Sequence, residues 1–202
     1  MKLHESITPK LRRWIEAQHL FFVATAPLAA GGHINLSPRG TPGTFAVLDD
    51  HTVAWLDLTG SGAETIAHLR ENGRIVVMFC GFDGPPQIVR LHGTGRVLLP
   101  TDAEWPELAA HFADKIGARA IIVVDVNRVS DSCGYSVPLF EFVGDRDLLD
   151  RWTENRGPAK LAEYRATRNA ESIDGLPSLP VGSPGSPGDS CQDARVAFFV
   201  DS

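Results

Sequence analysis

The stretch VAWLDLTGSGAETIAHLRENGRIVVMFC, residues 53–80, decides the fold. It opens as part of a strand, Thr52 to Leu58, and breaks at a Thr59-Gly60-Ser61-Gly62 turn. Its period then changes to that of a helix. Ser61 and Glu64 stand three residues apart ahead of Ala63, Ile66, Ala67 and Leu69, a capping-box pattern that predicts a helix to about Asn72, ended by Gly73. Arg74 to Cys80 is nearly continuous apolar sequence and reads as a strand covered on both faces. A strand, a tight turn and a helix N-terminus in succession can cradle an anion, and the same residues can equally be ordinary capping.

Upstream, Thr8 followed by Pro9 signals a helix start, and Leu11, Trp14, Ile15 and Gln18 mark one helical face. Leu20 to Thr25, His33 to Leu36 and Thr44 to Leu48 read as short strands. Asp49-Asp50 makes the turn of a hairpin with Thr52 to Leu58. Downstream, Gln87 to Leu98 reads as a long strand with Arg90, His92, Thr94 and Arg96 on one face and Val89, Leu91, Gly93, Gly95 and Val97 on the other. Thr101 to Phe112 carries a second capping-box pattern, Ala120 to Arg128 a buried strand, and Leu139 to Val143 a further short strand. Leu148, Leu149 and Trp152 suggest a helical turn, and Pro158 to Asn169 a basic terminal helix. Six or seven strands in this order, with helices at the periphery, predict a mainly β (α+β) antiparallel barrel rather than alternating βαβ units.

At 202 residues and 43% apolar, the chain has room for one domain with a real core. Between Gly175 and Gly188 eight of fourteen residues are Gly or Pro, so the domain is expected to span residues 1–180 and residues 181–202 to form a disordered tail. A net charge of −6 without a Lys/Arg run argues against a nucleic-acid partner. Three widely spaced cysteines, Cys80, Cys133 and Cys191, suggest neither a disulfide framework nor a zinc site, and the histidines lack metal-ligand spacing. No apolar run is long enough for a membrane span and no signal peptide is recognisable, so a cytoplasmic protein without membrane partners is expected.

HINLSPRG (33–40), the 53–80 stretch, QIVRLHGTGRV (87–97), SCGYSVP (132–138) and NAESIDGLPSLP (169–180) together resemble the FMN-binding split-barrel family related to pyridoxamine 5′-phosphate oxidase. The resemblance implies a six-stranded Greek-key split β-barrel, a homodimer with FMN in grooves between subunits, and a flavin-dependent oxidoreductase acting on a small-molecule substrate. Deazaflavin and haem are the alternative cofactors within the same fold. A non-catalytic flavin- or haem-binding, redox-sensing protein is the alternative function.

Residue by residue, the oxidase's first flavin-contacting strand matches Gly32 to Ser37 without its Arg and Lys. The backbone of Asn35, Leu36 and Ser37 would face the ring, with Arg39 as the replacement cation. Trp55, Leu56 and Asp57 match the second contact strand, and Ser61-Gly62 stands where the oxidase has an Arg-Lys pair. The phosphate would then be held between Thr59 and Thr65 by backbone N–H groups, by the Ser61 and Thr65 hydroxyls and by the helix N-terminus, aided by Arg90. Tyr135 would cover the flavin and Cys133 would touch it, the alternative for Cys133 being a small apolar filler of the turn. The oxidase's flavin-contacting Gln falls near Ile88, and its substrate-binding residues have no counterparts here, so pyridoxamine phosphate is not implied as the substrate.

Overall fold

The computed structural model describes residues 1–180; the tail expected at 181–202, with Cys191, lies outside the described residues. Twelve elements follow in order: β1 (Lys2–His4), α1 (Pro9–Glu16), β2 (Phe21–Thr25), β3 (Asn35–Arg39), β4 (Phe45–Val47), β5 (Thr52–Leu58), α2 (Glu64–Asn72), β6 (Arg74–Cys80), β7 (Ile88–Leu98), α3 (Trp105–Ala109), β8 (Ala118–Ser132) and α4 (Leu148–Arg168). The strands form a curled antiparallel sheet in the order β3-β2-β6-β7-β8-β5-β4, with β1 pairing β8 beside that path. This is one strand more along the path than the six the resemblance implies, and β1 was not foreseen.

Alternation builds the interior. Phe21, Val23 and Thr25 of β2, Ile75, Val77 and Phe79 of β6, and Val53 and Trp55 of β5 are all buried, with Ile66 and Leu69 of α2 and Leu11 and Ile15 of α1 in the same core. The opposite side of β5 and β8 (Ala54, Leu56, Leu58, Ile121, Val123) packs a second layer with Trp105, Leu108 and Leu149. The reading of β6 as covered on both faces needs correcting: Val76 and Met78 are only half-buried, and Leu36 across the same outer face is 64% exposed.

Local chemistry accounts for most boundaries. Thr8 caps α1, its Oγ1 accepting the Leu11 N–H at 3.3 Å, with Pro9 at the first helical position. Thr8→Ala should therefore lower stability by about 1 kcal/mol in urea denaturation. Gly73 ends α2 at φ +71, a left-handed position that suits glycine. A Cβ on Gly95 would stand 2.7 Å from Leu69, so the bare backbone lets α2 lie against β7.

Several expected features do not form. The start of α2 is Ala63, which makes no side-chain cap, so Ser61 lies outside the helix; the Glu64 carboxylate instead accepts the Ile173 N–H at 3.0 Å. The Thr101 capping box also fails, because Glu104 is the boundary residue, with Pro106 in the first turn of a helix that ends at Ala109. Leu139 to Val143 is irregular. The two expected terminal helices do form, as the two halves of α4 separated at non-helical Gly157, φ 69.

β8 contains two bulges. Opposite β7, Leu91 pairs Val129 and His92 pairs Arg128, but Gly93 pairs Val126, leaving Asn127 as the extra residue. Opposite β5, Asp57 pairs Ala120 while Leu58 pairs Ala118, leaving Arg119 as the extra residue. A bulge re-aims the side chain it carries. Simple alternation would set Arg119 with Ile121 on the outer layer; the bulge turns it inward onto Asp57.

Candidate functional site

Side chains tie β3, at one limit of the ladder, to its neighbour β2 and to α2. Asn35, on the inner face of β3, donates through Nδ2 to Thr25 Oγ1 and to Thr65 Oγ1, both at 3.1 Å. Its Oδ1 accepts the Ser37 hydroxyl at 2.7 Å. Thr25 Oγ1 lies 2.9 Å from Nδ1 of His68, a histidine of α2 with no exposed surface. Five polar side chains from β2, β3 and α2 thus form one network beside the uncapped start of α2. Ser61 and Gly62 lie exposed in the turn leading into that start.

The C-terminal segment fixes the turn from behind. Asn169 Nδ2 donates to Gly60 O at 3.0 Å and the Ser178 hydroxyl to Ala63 O at 3.0 Å. His33 holds the same segment to the β2–β3 loop, its Nδ1 2.7 Å from Asp174 Oδ1. The hydrogen bond to Asp174 and its negative charge raise the His33 pKa, and the same contact lowers that of Asp174.

Deeper in the split, Arg39 of β3 reaches Asp57 of β5, Nη2 to Oδ1 at 3.0 Å, and Arg119 Nε donates to Asp57 Oδ2 at 2.7 Å. Burial alone would push the Asp57 carboxyl up; the Arg119 and Arg39 guanidiniums outweigh it and hold the group below the ordinary carboxylate range. Beyond Arg39 a pocket of about 260 Å³ opens over Phe21, Phe45 and Phe79, rimmed by Glu16, His19, Thr41 and Asp145.

The expected site residues therefore divide. Asn35, Ser37 and Thr65 come together, with Ser61 and Gly62 adjacent, and Arg39 and Asp57 meet as an ion pair. Thr59 is fully buried, and its hydroxyl donates to Gly117 O at 2.8 Å and accepts from Arg165 Nε at 2.8 Å, so it is not presented to a ligand in the turn. Leu36 points outward, and Leu56 is buried in the second layer. Arg90 lies on the outer face of β7, bonded to Ser132 Oγ at 3.2 Å, and Tyr135 is 84% exposed in the loop after β8. Four residues escaped the sequence reading: Thr25, His68, Arg119 and Arg165. Thr25 alone carried a signal, its parity with Phe21 and Val23.

Among the described residues no group of three His, Cys, Asp or Glu side chains could hold a metal ion, and no helix is long and apolar enough to cross a membrane. A family model described as pyridoxamine 5′-phosphate oxidase matches residues 7–133. The pyridoxamine 5′-phosphate oxidase family protein ustO of Aspergillus flavus is 44% identical over 194 residues, covering 87% of this chain and 77% of that protein. Two solved structures share the fold at a TM-score of 0.50. Group A Streptococcus HupZ is 21% identical over 67% of this chain and 99% of its own. A putative pyridoxamine 5′-phosphate oxidase from Lactobacillus delbrueckii is 18% identical over 64% of this chain and 99% of its own. The match across most of the barrel and the 44% identical relative together show that the chain belongs to the pyridoxamine 5′-phosphate oxidase family.

Proposed function

We propose that the chain is an FMN-dependent oxidoreductase whose cofactor lies along the β3–β5 split, with its phosphate at the start of α2. The observation that carries this reading is the uncapped N-terminus of α2 beside the Asn35–Ser37–Thr65 network. Free N–H groups at a helix start favour a dianionic oxygen cluster, and hydroxyls at the same point add donors. Ser61 and Thr65 would donate to the phosphate, and Asn35 holds Thr65 in place. Bound FMN supplies hydride transfer at its N5, leaving the protein to bind, orient and shield it.

The uncovered outer face of β3, β2 and β6 supports a homodimer. Leu36 and half-buried Val76 and Met78 lie there beside Arg90, which meets a cofactor only across an interface with a second copy. Light scattering should give twice 21.9 kDa.

The visible spectrum of the purified protein, with the released cofactor identified by mass, tests FMN against deazaflavin and haem. In FMN titrations the Ser61→Ala/Thr65→Ala double variant should bind about tenfold more weakly, the loss of roughly one charge-assisted hydrogen bond. Unchanged affinity sinks the phosphate assignment. A bound flavin that stays oxidised anaerobically with every donor tried would make the protein a binder rather than an enzyme.

A further inference from the structure

Three guanidiniums gather where β3, β5, β8 and α4 meet, two of them on the carboxylate of Asp57 and the third beside it on Thr59 and Ala118. Arg39 and Arg119 each take one oxygen of Asp57, at 3.0 and 2.7 Å. Arg165 arrives from α4, its Nε donating to Thr59 Oγ1 at 2.8 Å and one Nη to Ala118 O at 3.0 Å. Among the described residues no second carboxylate pairs with any of the three. Three cations against one anion leave two positive charges in excess. Asp57 is wholly buried, Arg119 is 3% exposed, and Arg165 is half-buried.

Such an excess is unfavourable in a water-poor place, because unpaired buried charge loses its hydration without compensation. The strain is visible at Arg165, whose pKa is lowered first by burial and then by the positive charge of Arg119. Donors also stand idle: Arg119 Nη1 and Arg39 Nε are buried without a hydrogen-bond acceptor, while Asp57 Oδ1 meets Arg39 as an ion pair and accepts no hydrogen bond. Two hydrogen-bond donors and two surplus charges in one place ask for the same kind of group, a multi-oxygen anion that accepts from forked guanidiniums.

We propose that Arg39, Arg119 and Arg165 form a binding site for the oxyanion of a small ligand, a phosphate or a carboxylate, next to the Thr59-Gly60 turn. Asp57 fixes the orientation of Arg39 and Arg119, and the ligand's oxygens accept from the donors it leaves over. The Arg39 side chain, 24% exposed, forms the solvent-facing wall. The site stands whether or not the chain takes a flavin, since its charge excess is a property of the protein alone. It also gives an acidic chain, net −6, a local means of holding an anion.

Calorimetric titration of inorganic phosphate into flavin-free, full-length protein at fixed ionic strength tests this, with acetate as the carboxylate arm. Saturable uptake of one phosphate per chain is expected. It should weaken at least tenfold in Arg165→Gln and in Arg39→Gln, the latter half-exposed position serving if the former variant fails to fold. If preloading with FMN abolishes uptake and riboflavin does not, the site is supported, and the flavin phosphate lies here rather than at the start of α2, which overturns that assignment while leaving this site standing. Uptake that persists with FMN bound supports the site and assigns it to the anionic group of a second ligand. Uptake that is not saturable in the parent protein, or is unchanged in both variants, overturns the proposal.

Discussion

Asp57→Asn should lower the unfolding free energy by about 3–5 kcal/mol at pH 7, because it leaves buried Arg119 and partly exposed Arg39 without their counter-charge. Urea denaturation reads the loss directly. The parent protein should also show a pH signature that the variant lacks. Asp57 has a folded pKa below its unfolded value, so the unfolded chain binds the proton more tightly. The stability it contributes is fully present above the unfolded value of about 3.9 and is lost as the pH falls through the folded value. Stability measured between pH 7 and pH 3 should therefore fall less steeply in Asp57→Asn than in the parent. Parallel profiles would mean that the two guanidiniums are neutralised by something other than Asp57.

The second large effect is expected at Phe79. Its ring is 1% exposed and meets Phe21 at 5.6 Å and Phe45 at 5.3 Å between centroids. Phe79→Ala removes a buried aromatic and opens a cavity continuous with the 260 Å³ pocket that Phe79 already lines, at a cost of about 3–5 kcal/mol. Phe79→Leu keeps most of the volume and should cost less than half as much. Thermal denaturation of the three proteins separates the cavity from the loss of ring contacts. Equal melting points for the two variants would show that volume is not what matters there.

The strands were legible where alternation and length were unambiguous. β5 spans Thr52–Leu58 and β6 spans Arg74–Cys80, as the pattern predicts, because mostly apolar stretches set between the Asp49-Asp50 and Thr59-Gly60 turns, and between Gly73 and Gly81, leave little choice. The parity read along β7 also holds, since both bulges fall on its neighbour β8. Three residues were too few to announce β1. The capping box at Ser61 was misread for a reason that lies 109 positions away: Glu64, its other half, is engaged by Ile173.

The site was half legible for the same kind of reason. Asn35, Ser37 and Thr65 follow from strand parity and the helix start, local properties that the sequence displays. Arg119 could not be placed, because an alternating strand sends it outward and only the extra residue in β8 turns it in. Arg165 depends on α4 crossing back to a turn 106 residues earlier. Thr59 was assigned to a ligand because its hydroxyl sits in the turn; in the fold, Gly117 and Arg165 take it.

Residues 165–178 reach back to fasten Thr59, Gly60 and Ala63, which sets an order of events during synthesis. The eight strands are all complete by Ser132, so the barrel core can close before the segment that shapes its mouth has been translated. The turn before α2 takes its final geometry only when Asn169 and Ser178 arrive. On the function proposed above, cofactor capture would belong to the finished chain, and a nascent barrel released early would be folded at its centre and open at its rim.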